Sequence, residues 1–447
     1  MPEWFLPRWD APHVLGAALA EGRLAFRDRA RLDRHQEALA HTHLRWVLPR
    51  SPATADRFRA AGLLPERWRE LPPVGKAWTM GHFGTLNTEG LTLEDVLRVG
   101  RAAEATRDFR PTVTGRSGEV VVGLSTGTSG SRGAFIVSRA ERLRWAGVML
   151  RHLLPRWPRG LLTPQRVAFV LRAEGGLYRS VQHRWLDLHF FDVLRPVEDL
   201  AAALTAYRPT VLVGPPSVLG ALHAAGASAR PARVVSVAEV LDPDDEAALA
   251  SAFGPVVQVY QATEGLLGLP CAHGHLHLNE AHVHIDLEPL GDGLVRPVIT
   301  DLRRRAQPVI RHRLDDALRL HPQPCPCGLA ARRVQAIVGR QDDALLLPGL
   351  AGERLSVWPD VLRGVLADVP GLREYRVTQV SPHALTLDLD PCTPDTAADA
   401  TRAVHAALNR VGVDTLPLSL TAQTLIPPPA GHKRRRVTRA WTPPEVP

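Results

Sequence analysis

Apolar residues along the chain fall into two patterns. Short, nearly unbroken runs predict strands: Glu119-Val120-Val121-Val122, Ala134-Phe135-Ile136-Val137, Arg166-Val167-Ala168-Phe169-Val170-Leu171-Arg172, Thr210-Val211-Leu212-Val213, Arg233-Val234-Val235-Ser236-Val237 and Val256-Val257-Gln258-Val259-Tyr260. The 166–172 run has no polar alternation, which predicts a strand covered on both faces. Helical patterns with caps and breakers fill the chain up to residue 110 or so and return over 140–154. Thr92, followed by Glu94 and Asp95, predicts a capped helix at 91–97, and Ser217 predicts a second cap after Gly214-Pro215-Pro216. Strands alternating with helices predict an α/β domain with a largely parallel sheet, whose ligands sit at strand C-terminal ends.

Between the first two strand runs lies Ser125-Thr126-Gly127-Thr128-Ser129-Gly130-Ser131-Arg132-Gly133. Glycines at 127, 130 and 133, interleaved with hydroxyls and one guanidinium, let backbone N–H groups turn inward around phosphate oxygens. The stretch does not fit GxxxxGK[ST] and opens no helix, which argues against a Walker-type nucleotide site. Its plain alternative is a Gly/Ser surface hairpin.

Composition changes this picture little. At 447 residues the chain holds more than one domain, and 45% hydrophobic with 22% charged residues is ordinary for a soluble protein. No 18-residue apolar span occurs, and the opening Met1-Pro2-Glu3-Trp4 lacks a basic region followed by an apolar one, so a cytosolic location is expected. A net charge of +8 and a pI near 10.0 invite a nucleic-acid reading. Of the 54 basic residues, however, only Lys76 and Lys433 are lysine, so the charge reflects a general use of arginine and is weak evidence for a polyanion partner. The dense run Lys433-Arg434-Arg435-Arg436 is the exception. Four cysteines in so long a chain make no disulfide framework.

Three later motifs carry chemistry. In Gln258-Val259-Tyr260-Gln261-Ala262-Thr263-Glu264-Gly265, a strand ending in Thr-Glu sets a hydroxyl beside a carboxylate, suiting an α-phosphate contact and a Mg²⁺ ligand. Pro308-Val309-Ile310-Arg311-His312-Arg313-Leu314-Asp315-Asp316 ends in two adjacent carboxylates, each an acceptor of more than one hydrogen bond. Gly431-His432-Lys433 brings a compact ammonium near the C-terminus, where arginine is no substitute.

Together with Val338-Gly339-Arg340-Gln341-Asp342-Asp343, these motifs resemble, in order and over about residues 70 to 437, those of the adenylate-forming (acyl-activating) superfamily. Leu124–Gly133, Arg172-Ala173, Gly214-Pro215-Pro216-Ser217, Ala238-Glu239-Val240-Leu241 and Tyr260–Gly265 are similar to the branch holding phenylacetate–CoA ligases and CoF synthetases, and most like the CoF synthetase-related set. The segment Pro73–Lys76 through Phe83–Thr88 looks like that branch's pre-loop segment, although Lys76 by itself reads as a solvated surface residue.

The resemblance implies a large, multi-layer N-terminal domain with parallel-rich sheets over 1–338 and a small, mobile α+β domain over 339–447. It implies that Ser125, Thr126, Gly127, Thr128, Ser129, Gly130 and Arg132 hold the outgoing phosphates of ATP. Thr263 and Glu264 would serve the α-phosphate and Mg²⁺, with Gln261 and Glu239 along the nucleotide and Asp316, favoured over Asp315 by alignment with the family's motif, on the ribose. Arg340 joins the ATP site, Asp342 is the hinge, and Lys433 neutralises the transition state. The implied reaction activates a carboxylate as acyl-AMP with release of pyrophosphate, CoA then accepting the acyl group. Two other readings stay open: a nucleotidyltransferase that adenylylates a deazaflavin-type hydroxyl without CoA, and a non-catalytic, basic nucleic-acid-binding relative. Expected partners are a small-molecule acid or hydroxyl acceptor and a second copy of the chain; membrane and nucleic acid are not expected. The acceptor pocket falls on residues 172–192 and 214–240, with His183, Phe190 and Phe191 as candidates and core packing the competing role for the phenylalanines.

Cys271, Cys325 and Cys327 with one histidine make a Cys₃His set suited to structural zinc. The resemblance favours His277 as the fourth ligand over His273 and His275. The competing reading is reduced thiols, with His275, His277, His282 and His284 facing out of a strand.

Overall fold

The computed structural model describes residues 10–124, 133–171, 186–340, 343–426 and 435–441. The chain divides into two compact units, one of Met1–Leu314 with Leu320–Gln335 and one of Asp315–Arg319 with Ala336–Pro447.

The apolar runs of the first unit become a five-stranded sheet in the order Leu186–Asp192, Gln165–Leu171, Val211–Gly214, Arg233–Ser236, Val256–Gln258, every pair parallel. Ala168, Val170, Leu212 and Val234 join a core with Leu204, Leu219, Leu222 and Phe253 from the helices Val197–Tyr207, Pro216–Ala224 and Pro243–Phe253. Val167, Phe169, Val213, Val235 and Val257 join a second core with Val148 and Leu153 of the helix Arg139–Leu153. Two cores on alternate residues explain why these strands lack a polar face, and each fully buried Leu or Phe stabilises the fold by about 2 kcal/mol.

The helix Leu93–Thr106 starts as its sequence predicts, with Thr92 Oγ1 accepting the Asp95 N–H at 3.1 Å. Thr92→Ala should therefore cost about 1 kcal/mol in a urea titration, and an unchanged midpoint would remove the cap from the account. Ser217 behaves differently. The helix begins at Pro216, whose missing N–H costs nothing in a first turn, and the Ser217 N–H donates to Glu239 Oε2 at 3.3 Å.

Gly118–Leu124 and Ala134–Ser138 pair antiparallel with Leu124 opposite Ala134, so the strands flanking the glycine-rich stretch form a hairpin. Residues 125–132 themselves lie outside the described residues. Gly123 faces Phe135 across this pair, and a side chain there would occupy the Phe135 ring.

The apolar run over 256–260 splits in two. Val256–Gln258 ends the parallel sheet, while Tyr260–Ala262 pairs antiparallel with Gly265–Pro270, Ala262 opposite Gly265. Thr263 and Glu264 are thus the two residues of a tight hairpin turn and not the end of a parallel strand. Helix Arg29–Val47, capped by Asp28, packs with Phe58, Trp68 and Leu71 against Leu302 and Ile310, bringing the N-terminal helices onto the 302–310 segment.

In the second unit Glu374–Ser381 and Ala384–Asp390 pair antiparallel, flanked in parallel by Val437–Arg439 and Ser419–Thr424. With helices Pro359–Ala367 and Pro394–Arg410 they enclose Leu345, Leu362, Leu366, Leu387 and Val404, an α+β core.

Candidate active site

A narrow cleft in the first unit is lined by Gly133 and Ala134 at the end of the glycine-rich stretch, by Thr263 and Glu264, and by Lys76, Thr79, Arg57, Arg304 and His312. Segments far apart in sequence meet here because the hairpin, the Thr-Glu turn and the 302–312 segment are bonded together. Gln307 Oε1 accepts the Ile136 N–H at 3.0 Å, and the buried Arg304 donates through Nη1 to the Thr263 carbonyl at 2.8 Å. Arg304 also lies 5.9 Å from the centroid of Phe135.

Glu264 is the one carboxylate lining the cleft among the described residues, against three cations. Its Oε1 is 3.7 Å from Nε2 of the buried His312, whose Nδ1 is 3.2 Å from Thr79 Oγ1. Arg311, in the left-handed region at φ 51°, turns the chain just before His312. Arg57 donates to the carbonyls of Ile310 and Pro72, each at 2.8 Å, and lies 5.0 Å from the centroid of Trp78. Burial, then the neighbouring Arg311, pulls its pKa down to about 10. The cleft is a positively charged slot with a single anion, suited to an oligophosphate and a divalent cation.

Sequence reasoning missed Arg304 and His312 and read Lys76 as solvated surface, whereas Lys76 lines the cleft. The signal for Lys76 was its rarity, since it is one of two lysines.

The other predicted residues are distributed as follows. Glu239 binds the Ser217 N–H at the start of the helix Pro216–Ala224, with Ala238 before it in the left-handed region at φ 68°. Gln261 sits on the strand Tyr260–Ala262. Asp315, Asp316 and Arg340 belong to the second unit, where Arg340 Nη2 contacts Asp315 Oδ2 at 3.1 Å. In the same unit Arg435 pairs with Asp343. Ser125, Thr126, Gly127, Thr128, Ser129, Gly130, Arg132, His183, Asp342 and Lys433 lie outside the described residues. Phe191 is core, and Phe190 packs against the opposite core.

Cys271, His277, Cys325 and Cys327 bring their four ligand atoms within 4.8 Å of one another. His277 Nδ1 donates to the Ala331 carbonyl at 2.8 Å, which fixes the tautomer and leaves Nε2, 3.5 Å from Cys327 Sγ, as the free lone pair. Burial lowers the His277 pKa, favouring the neutral ring a metal needs. His275 Nδ1 reaches Cys325 Sγ at 3.2 Å from the other side. His282 and His284 do not face outward. They are buried, His282 on Glu21 Oε2 at 2.7 Å and His284 on Gln36 Oε1 at 2.8 Å.

This architecture is the adenylate-forming ligase fold. No family model matches the chain and no curated protein matches it in sequence. Among solved structures, 2-hydroxyisobutyryl-CoA ligase in its postadenylation state with 2-HIB-AMP superposes with a TM-score of 0.67 at 17% identity, over 94% of this chain and 91% of that one. GH3.15 acyl acid amido synthetase gives 0.55 at 12% identity over 90% and 87%. The amide bond synthetase McbA from Marinactinospora thermotolerans gives 0.51 at 14% identity over 69% and 66%. No helix among the described residues is long and apolar enough to cross a membrane.

Proposed function

We propose that the chain is an ATP-dependent, AMP-forming ligase that activates a carboxylic acid as acyl-AMP and transfers the acyl group to CoA. The observation that carries this is the cleft, in which the end of a glycine-rich hairpin, a Thr-Glu turn and three cations converge, on a fold shared with a CoA ligase over nearly its full length. Within that class we favour the phenylacetate–CoA ligase and CoF synthetase branch on the motifs.

In this reading Ser125, Thr126, Thr128 and Arg132 hold the departing phosphates, and Arg57, Lys76 and Arg304 give the slot its positive field. Glu264 would hold Mg²⁺, and the turn that carries it is fixed by Arg304 on the Thr263 carbonyl. A bound Mg²⁺ would neutralise phosphate charge as pyrophosphate leaves. Asp316 serves the ribose, and Lys433, on a 339–447 domain turning about Asp342, meets the charge developing at the α-phosphorus.

Incubation with ATP, a panel of carboxylic acids and CoA tests the reading. A thioester with AMP and pyrophosphate supports it. A stable adenylylated hydroxyl compound formed without CoA would replace it by nucleotidyl transfer. No pyrophosphate exchange with any acid would leave a non-catalytic relative.

We further propose that Cys271, His277, Cys325 and Cys327 hold a structural zinc ion. Purified protein should carry about one zinc per chain. Cys325→Ser and His277→Ala should lose the metal and melt lower, while His275→Ala keeps it. Metal analysis that finds His275→Ala depleted and His277→Ala loaded would exchange the two histidines.

A further inference from the structure

The segment Asp301–Gln307 carries Arg304 into the cleft with its backbone tied at both ends. Of its three consecutive arginines only Arg304 lines the cleft. Arg303 is half-buried outside it, and Arg305 is exposed with its guanidinium 4.8 Å from the centroid of Trp46. At the near end, Asp301 Oδ1 accepts the N–H groups of Arg303 and Arg304 at 2.8 and 3.0 Å. At the far end the acceptor is remote in sequence: Glu141 Oε1 takes the N–H of Arg305, 164 residues away, and that of Ala306 at 2.9 Å.

The same carboxylate is already in use locally. Ser138 and Glu141 form the capping box that starts the helix Arg139–Leu153, Glu141 Oε2 accepting the Ser138 N–H at 2.8 Å and the Ser138 hydroxyl at 2.7 Å. A capping box needs one oxygen, and here the second reaches a distant segment. Four donors therefore fill one carboxylate, two from the end of the strand Ala134–Ser138 and two from the loop that carries Arg304. That strand leads out of the glycine-rich stretch, and that loop holds the Glu264 turn. Ile136, midway along the strand, gives its N–H to Gln307 Oε1 at 3.0 Å, and its carbonyl receives Arg304 Nη2 at 3.5 Å while Nη1 holds the Thr263 carbonyl at 2.8 Å. Arg304 and Gln307 belong to the cleft wall, whereas Glu141 lines none of it.

We propose that Glu141 is a positioning residue for the adenylation step, one carboxylate setting the spacing between the glycine-rich hairpin and the turn that carries Glu264. The role rests on the ligase reading, in which the hairpin holds the departing phosphates and Glu264 the Mg²⁺. Bonds from N–H and O–H donors to an ionised carboxylate are strong and narrow in length, so strand and loop cannot drift apart while all four are made. A misplacement of about 1 Å between groups that share a triphosphate is enough to cost roughly a hundredfold in rate. Reach, more than charge, is what this role demands of the side chain.

ATP–pyrophosphate exchange and calorimetric titration with ATP, each across a range of Mg²⁺ concentrations, test the role on the full chain. Glu141→Asp keeps the charge and the helix start but is one methylene too short to serve both sides. It is expected to lower the exchange kcat by about tenfold or more and to raise the Mg²⁺ concentration needed, with little change in KM for ATP. Glu141→Gln keeps the length, its amide oxygen taking the loop N–H groups and its NH₂ donating to the Ser138 hydroxyl, and should stay within about threefold of wild type. Ser138→Ala removes the hydroxyl from the cap and leaves the loop side intact, so it should melt lower with exchange near wild type. Glu141→Asp with wild-type kcat and Mg²⁺ requirement overturns the proposal. So does Glu141→Gln as impaired as Glu141→Asp, which makes charge the requirement, or Ser138→Ala as impaired, which leaves only the capping box. Wild type that exchanges pyrophosphate with no acid defeats the ligase reading, and calorimetry then decides the spacing role by itself. A raised Mg²⁺ requirement for ATP binding in Glu141→Asp but not in Glu141→Gln supports it, and equal requirements overturn it. Wild type that binds no ATP at millimolar concentration overturns both.

Discussion

Glu264→Gln should lower ATP–pyrophosphate exchange by about a thousandfold or more while leaving the melting temperature close to wild type. Glutamine keeps the size of the side chain and the geometry of the two-residue turn, and Arg304 still anchors the Thr263 carbonyl, so the fold loses little. The change removes the only carboxylate that lines the cleft among the described residues, opposite Arg57, Lys76 and Arg304. A cleft of unopposed cations still attracts ATP, so the loss should fall on turnover and on the Mg²⁺ concentration needed, more than on nucleotide affinity. Lys433→Ala should abolish the same step without shifting the Mg²⁺ requirement. His312→Phe, which leaves Glu264 in place but removes the imidazole 3.7 Å away, should cost less than either. Exchange by Glu264→Gln at the wild-type rate would remove Glu264 from the chemistry and with it the Mg²⁺ assignment.

His43→Leu should flatten much of the loss of stability on acidification. His43 is buried, neither ring nitrogen has a partner among the described residues, and burial followed by Arg305 and Arg303 depresses its pKa to about 3. The unfolded chain takes up a proton there near pH 6.5, but the folded chain takes it up only near pH 3. Above pH 6.5 His43 thus adds no pH dependence, and below it stability drops by about 1.4 kcal/mol per pH unit, approaching ~5 kcal/mol at the acid end. Glu21 adds a second loss at lower pH. Burial raises its pKa, but hydrogen bonds from His152 and His282 outweigh that and hold it well below the carboxylate range, so its contribution is present above pH 4.5 and fades as pH falls. Denaturant titrations at pH 7.5 and pH 5.0 separate the two, since only His43 acts strongly in that interval. A wild-type protein and His43→Leu that lose the same stability over it would contradict the assignment.

The parallel sheet was legible because strands buried on both faces leave unbroken apolar runs, and the Thr92 cap because one hydroxyl and the N–H three residues on suffice to define it. The geometry of the Thr-Glu turn was not legible. Apolar residues continue through Val259 and Tyr260, so nothing in their pattern marks where one sheet ends and another begins. Ser217 shows a different limit. Two prolines already start that helix, and the N–H expected to need a cap is taken by Glu239, a contact set by packing rather than by spacing. The zinc candidates were legible from ligand type and the preference for His277 from the resemblance, but which of its ring nitrogens stays free needed a neighbour, the Ala331 carbonyl. Arg304 could not be told from Arg303 and Arg305 by sequence. Three consecutive arginines have three different surroundings, and only the folded loop distributes them.

The contact between Gly123 and Phe135 has a reach beyond its own hairpin. The Phe135 ring lies across Gly123, Arg304 rests near that ring, and Arg304 carries the Thr263 carbonyl. A methyl group added at position 123 would therefore be felt at Glu264 through three successive neighbours, none of them needing to touch a substrate. Natural variation should consequently be as restricted at Gly123 as at the residues that line the cleft, and an engineer reshaping this protein would do well to leave that glycine alone.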